Sequence, residues 1–168
     1  MVIDIGQGLG IDEDTLTTVV IDARVVRREL VGSSDPADRV VAALAMGDVP
    51  LAASLLHSMD DDRGFRATAL RAELAQAQGK HADAVRIYSG LLRDDTLSDI
   101  RRATALQHLG KAQLRAGHVH GARRSLRAAL DLRRRIGAPP DQIRSSELAL
   151  AQGATPRDGT GPTVDDAT

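Results

Sequence analysis

The chain has 168 residues, the length of one domain, and its only aromatic residues are Phe65 and Tyr88, too few for an ordinary β-sandwich or barrel. It holds no Cys, which excludes disulfides and thiolate chemistry and leaves any zinc site to His and carboxylates. Net charge is −1, yet residues 1–65 carry 5 basic against 12 acidic side chains and residues 66–152 carry 16 against 8, a dipole suited to head-to-tail association or to an acidic partner on the later half.

Met1–Gly10 reads MVIDIGQGLG, with Gly6, Gly8 and Gly10 after a short apolar run. A phosphate cradle needs a strand, a glycine turn and a helix N-terminus aimed at the anion. The third Gly falls two residues after the second instead of three, so the G-x-G-x-x-G spacing fails. Residues 1–11 are expected to form a flexible or partner-ordered start, with no sheet for the run to join. Asp12–Val31 is predicted helical, with Asp12, Glu13 and Asp14 at the end the helix dipole favours. Leu16, Val19, Ala23, Val26 and Leu30 make its stripe, although the β-branched run 17–21 also suits a strand. The stripe is wide enough either to cap the elements that follow or to pair with a second copy as a homodimer.

Ser34-Asp35-Pro36 opens a helix to Met46, and Gly47–Pro50 turns into another that ends near Met59. Asp60-Asp61-Asp62 is a solvated connector, without the alternating ligands and closing Glu of a calcium loop. Arg63–Gln78 and His81–Arg93 form the next helix pair. Thr96-Leu97-Ser98-Asp99 has the form of a capping box and begins a long helix to Ala116. His120–Ile136 follows and is stopped by Gly137, Pro139 and Pro140. Residues 140–152 form a capping helix, and the Gly/Pro/Thr/Asp composition of 153–168 is that of a disordered tail.

A spacing recurs along this series. Gly47, Gly79 and Gly117 are each followed by Ala after five residues and by Leu56, Tyr88 or Leu126 four residues later, with periods of 32 and 38. In the last unit Leu106, Leu109-Gly110 and Gln113 precede Ala122, Leu126 and Arg134. This resembles the tetratricopeptide repeat, whose unit of about 34 residues runs W-x2-L-G-x2-Y…A-x3-F…P. Leu, Gln and Arg stand at the Trp, Tyr and Pro slots, and Arg71-Ala72 stands at the L-G pair of the second unit. The resemblance covers about Ser34 to Gln152, as repeats near 34–60, 63–94 and 97–136 inside a helical domain over 12–152. It implies an all-α fold: a right-handed superhelical stack of antiparallel helix pairs with extra helices at both ends. It also implies a concave face lined by the first helix of each pair, where Arg66, Glu73, Gln107, Lys111, Leu114 and Arg115 would meet a protein or peptide partner. The chain has no Asn, so the Lys/Asn carboxylate clamp of some family members is not expected.

Candidate chemistry is sparse. His118-x-His120 and His108 fall short of the ligands a zinc site needs and read as solvated histidines. No G-x-S-x-G, H-E-x-x-H or Walker pattern occurs, so neither an enzyme nor a metal or other cofactor is expected. From Arg101 to Arg135 there are 10 Arg or Lys and one acid, Asp131, with Arg123, Arg127 and Arg134 on one helical face. A solvated face is the first reading of this stretch, an acidic partner the second and nucleic acid the third, since aromatic stacking platforms are absent. No basic-then-apolar leader or long apolar run is present, so a cytoplasmic location without membrane contact is the default. Arg in place of Lys and the lack of Asn suggest GC-rich coding and a bacterial origin. The resulting expectation is a non-catalytic interaction adaptor. Its rivals are a regulatory module of a bacterial transcription or signalling system, and direct binding through the Arg-rich face.

Overall fold

The structure, a computed structural model, describes residues 2–12, 18–59 and 62–154. The chain is predominantly helical, as expected. Three short strands lead: β1 (Val2–Gly6), β2 (Leu9–Asp12) and β3 (Thr18–Val20). Then come α1 (Ala23–Val26), which runs on as a π-helical segment Arg27–Val31, and α2 (Pro36–Ala45) and α3 (Val49–His57). The series continues with α4 (Phe65–Ala77), α5 (His81–Leu91), α6 (Asp99–Arg115), α7 (Val119–Arg135) and α8 (Pro140–Ala154).

The N-terminal expectations are corrected. Residues 2–12 are not a structureless lead but an antiparallel hairpin, to which β3 adds by pairing Leu9 with Val20 and Ile11 with Thr18. The glycines that suggested a phosphate loop serve this hairpin instead. Gly6 and Gly8 take positive φ in its turn, and a Cβ at Gly8 would lie 2.4 Å from the Asp22 carbonyl oxygen. The helix predicted from Asp12 begins only at Ala23, capped by the Asp22 carboxylate on the Arg24 and Val25 amides. Glu13, Asp14 and Leu16, placed in that helix, lie outside the described residues, as do Asp60, Asp61 and 155–168. Val26 and Leu30, read either as a cap on the following elements or as a face for a second copy, are buried with Leu9 and with Ala42 of α2.

From α2 onward the sequence signals and the structure coincide closely. Asp35 caps α2 ahead of Pro36. The α6 cap is Ser98 and not Thr96, whose amide and hydroxyl both bind the Asp94 carboxylate. Helices α2, α4, α6 and α7 all end in one motif. After α2, for example, the Asp48 amide reaches the Ala43 carbonyl at 2.8 Å and the Gly47 amide reaches Leu44 at 3.1 Å. The same double closure recurs at Gly79, Gly117 and Gly137, each at positive φ, as the Schellman geometry requires. Between pairs, Arg71 donates to the Met59 and Asp62 carbonyls and Arg102 to those of Leu92 and Asp94. Each ties its helix to the connector before it.

α2 packs on α3, α4 on α5 and α6 on α7, and each pair meets the next. The core runs through them as a series of Ala-rich clusters. Ala37, Val40, Ala43, Ala52, Leu56 and Leu70 form one, and Ala72, Ala75, Ala84, Tyr88, Leu109 and Ala112 the next. Small residues let backbones approach, and Gly110 is the limiting case. A Cβ there would sit 2.5 Å from Leu126 Cγ and 3.3 Å from the Ala122 carbonyl oxygen. Gly110→Ala is therefore expected to cost about 1–3 kcal/mol by overpacking. Urea denaturation checks this, and a Leu126→Ala background, which opens the space, should remove most of the penalty; equal penalties in both backgrounds would refute the contact.

Candidate functional site

Three helices that are each the first of a pair turn one face toward a common groove of about 430 Å³. α2 gives Val41 and Leu44, three apart. α4 gives Leu70, Glu73, Gln76 and Ala77, and α6 gives His108, Lys111 and Arg115. These offsets of three and four place each set on one helical stripe. Thr18 of β3 adds a wall from the sheet. One part of the lining is aliphatic, from Val41, Leu44 and Leu70, and another is charged.

Glu73 organises the charged part. Its Oε1 accepts from the Tyr88 hydroxyl of α5, from His108 Nδ1 of α6 at 2.7 Å and from Gln76 Nε2 at 3.2 Å. The His108 ring stacks on Tyr88 with centroids 5.6 Å apart. An ionised carboxylate only accepts, so His108 carries its proton on Nδ1 and turns Nε2 away from Glu73. Burial pushes the Glu73 carboxyl up. Attraction to His108, hydrogen bonds from His108 and Tyr88, and the charge of Lys111 outweigh it and hold the group at about 2. Burial, then the charge and hydrogen bond of Glu73, push the Tyr88 phenol well above its ordinary range.

Burial also draws the Lys111 ammonium down to about 8, against the attraction of Glu73 and aided by the repulsion of Arg115 and Arg133. Arg115 donates to Gln76 Oε1 at 2.5 Å. Tyr88 and Glu73 thus fix the floor, while Lys111 and Arg115 supply positive charge at the wall. Among the described residues no group of three His, Asp or Glu is placed to hold a metal, and no helix is long and apolar enough to cross a membrane.

Of the six residues expected on this face, the structure brings together Glu73, Lys111 and Arg115. Arg66 instead bridges α4 to the start of α2, paired with Asp35 and Asp38. Hydrogen bonds from Ser33 and then Arg66 lower the Asp38 carboxyl. Gln107 is buried beside the groove stripe of α6, turned toward α7 and α8. It donates to Ser145 Oγ at 2.9 Å and accepts from Arg133 and Ser146. Leu114 packs with Leu126, Ala149, Leu148 and Leu150 under α8. The Arg-rich face is divided too: Arg123 donates to the Gly153 carbonyl, Arg134 pairs with Glu147, and Arg127 is exposed.

His108, expected as a solvated histidine, is a groove residue bonded to Glu73, and Tyr88 is its support. The spacing of His108 with Lys111 and Arg115 carried that signal. Compared with known proteins, the chain matches no family model, no curated sequence and no solved structure.

The Glu73 carboxyl lies below its ordinary 4.5, so its contribution to stability is complete above pH 4.5 and is lost as pH falls through about 2. Glu73→Gln is expected to destabilise the chain by about 1–3 kcal/mol at neutral pH. It should also flatten the decline between pH 4.5 and 2, as read by urea unfolding at a series of pH values. An unchanged acid profile would refute the role given to Glu73.

Proposed function

We propose that this chain is a non-catalytic adaptor that holds a segment of another protein along the face made by α2, α4 and α6, in the manner of a tetratricopeptide-like stack. The observation that carries the reading is the composition of the groove: three successive helix pairs each present their first helix to it. A concave surface assembled from repeated elements offers a partner aliphatic contact and charge side by side. Support also comes from the recurrent Gly-centred turns and the Ala-rich clusters, which give the pairs the same internal construction.

A second reading has its own observation. Arg124, Arg127 and Arg135 are exposed along α7, a helix that contributes no residue to the groove lining. An acidic partner docked there would bind with strong salt dependence.

A photo-cross-linking amino acid at Ala77, an exposed groove position, is expected to capture a protein partner from extracts of the source cells. The same group at Arg127 should not. With the cross-linker kept at position 77, Thr18→Trp, which fills the groove from an exposed wall position, should abolish capture, whereas Arg127→Glu leaves it intact. Capture from position 127 alone, lost in Arg127→Glu, would move the function to the Arg face.

A further inference from the structure

The turn glycines give the three helix pairs a common frame. Counted from Gly47, Gly79 and Gly117, the fourth residue on is Leu51, Asp83 or Gly121, and the seventh is Ser54, Arg86 or Arg124. On α5 these places carry a surface ion pair, Asp83 with Arg86, and on α7 the exposed Arg124. On α3 they are uncharged. Residues 49–59 hold no Asp, Glu, Lys or Arg, in a chain where such residues make up 27%. Yet Leu51 is 43% exposed, Ser54 and Ser58 are exposed, and Leu55 is half-buried. These four stand at i, i+3, i+4 and i+7, which is one stripe of a helix. An open stripe without charge has the composition of the centre of an interface, where charged residues are depleted.

The order of side chains along the stripe selects what covers it. Leu51, Ser54, Leu55 and Ser58 run large, small, large, small. Reversal turns this into small, large, small, large. A second copy laid antiparallel, with the twofold axis between Ser54 and Leu55, sets Leu51 against the partner's Ser58 and Leu55 against the partner's Ser54. Each ridge then meets a gap, as close helix packing requires. A foreign helix would need this pattern by coincidence, whereas a second copy of the chain always brings it.

We propose that α3 pairs with α3 of a second copy in this antiparallel register, so that the chain forms a reversible homodimer. The same patch is used on both sides, so the association closes at two. It goes beyond the adaptor reading and does not rest on it. α3 contributes no residue to the groove lining, so each copy keeps its own groove. A seam of four side chains per copy falls below the roughly 1,200 Å² of a standard interface, which makes the pair a transient one. Asp48 precedes the helix and Asp60, Asp61 and Asp62 follow it in sequence. The pair duplicates these acids, and salt screens like charges, so added salt should tighten it.

The test is sedimentation equilibrium of the full chain from about 10 μM to about 1 mM, the range in which a weak pair is read. The expected result is a monomer–dimer equilibrium that strengthens with sodium chloride. Leu51→Asp should weaken it at least tenfold, and Arg127→Glu should leave it unchanged. A second readout stands whether or not Leu51→Asp folds. The chain has no Cys, so Ser54→Cys places a single thiol beside the axis. Under mild oxidation it should form a disulfide-linked dimer at least tenfold faster than Arg86→Cys or Arg124→Cys, which occupy the same place in the frame on α5 and α7.

A chain that stays monomeric across this range would overturn the proposal. So would a dimer indifferent to Leu51→Asp, equal cross-linking rates for the three thiols, or species that grow beyond two copies. Association that weakens with salt would assign the contact to opposite charges and overturn the α3 seam. Failure to capture a protein partner from position 77 would leave all of these readouts unaffected.

Discussion

With almost no aromatic rings to fill space, this core can be closed only by bringing helix backbones near one another. Alanine does most of that work, and Gly110 against Leu126 marks where even a methyl group is too much. Interiors pack to crystal-like density, so a small-residue core leaves little slack. Every other feature answers to that closeness. Turns must be tight, and the Schellman closures at Gly47, Gly79, Gly117 and Gly137 make them so. Connectors must stay close as well, and Arg71 and Arg102 hold two of them by their carbonyls.

Close helices also trap polar groups, and the chain answers this at two joints, although Arg133 Nε stays buried with no hydrogen-bond partner among the described residues. One joins α4, α5 and α6 through Glu73, Tyr88 and His108, beside the groove. The other joins α6, α7 and α8 through Gln107, Arg133, Ser145 and Ser146, with Arg133 also donating to the Gln142 carbonyl at 2.7 Å. Buried polar groups are tolerable when they are hydrogen-bonded. The two joints lie on different sides of α6, so that helix is fixed in rotation about its own axis. That rotation is what aims Lys111 and Arg115 into the groove.

Much of the helical part was legible because its signals are local. Asp35-Pro36, Ser98 and the turn glycines act through their own backbone, whatever lies elsewhere in the chain. The sheet was not legible, because pairing Leu9 with Val20 depends on residues eleven apart and on a glycine turn that also resembles a loop. The β-branched run before Asp22 was the one hint of it. On α6 the four expected residues divide between the groove and its flank. One residue is a turn of about 100°, so Gln107 and Leu114 fall beyond the edge of the stripe that carries His108, Lys111 and Arg115. The walls Val41, Leu44 and Leu70 went unremarked in the sequence, since hydrophobic spacing does not distinguish a surface facing a neighbour from one facing a cleft.

The contacts of Arg133 have a consequence for the end of the array. Its guanidinium grips Gln142 and Ser146, four residues apart on α8, while Gln107 grips Ser145 and Ser146 from the other helix. Sliding α8 by one turn would set Leu150 where Ser146 now stands and leave a buried cation facing hydrocarbon. The terminal helix is therefore keyed in register instead of simply greased into place. A foreign helix grafted there would need the same hydroxyl pattern to seat.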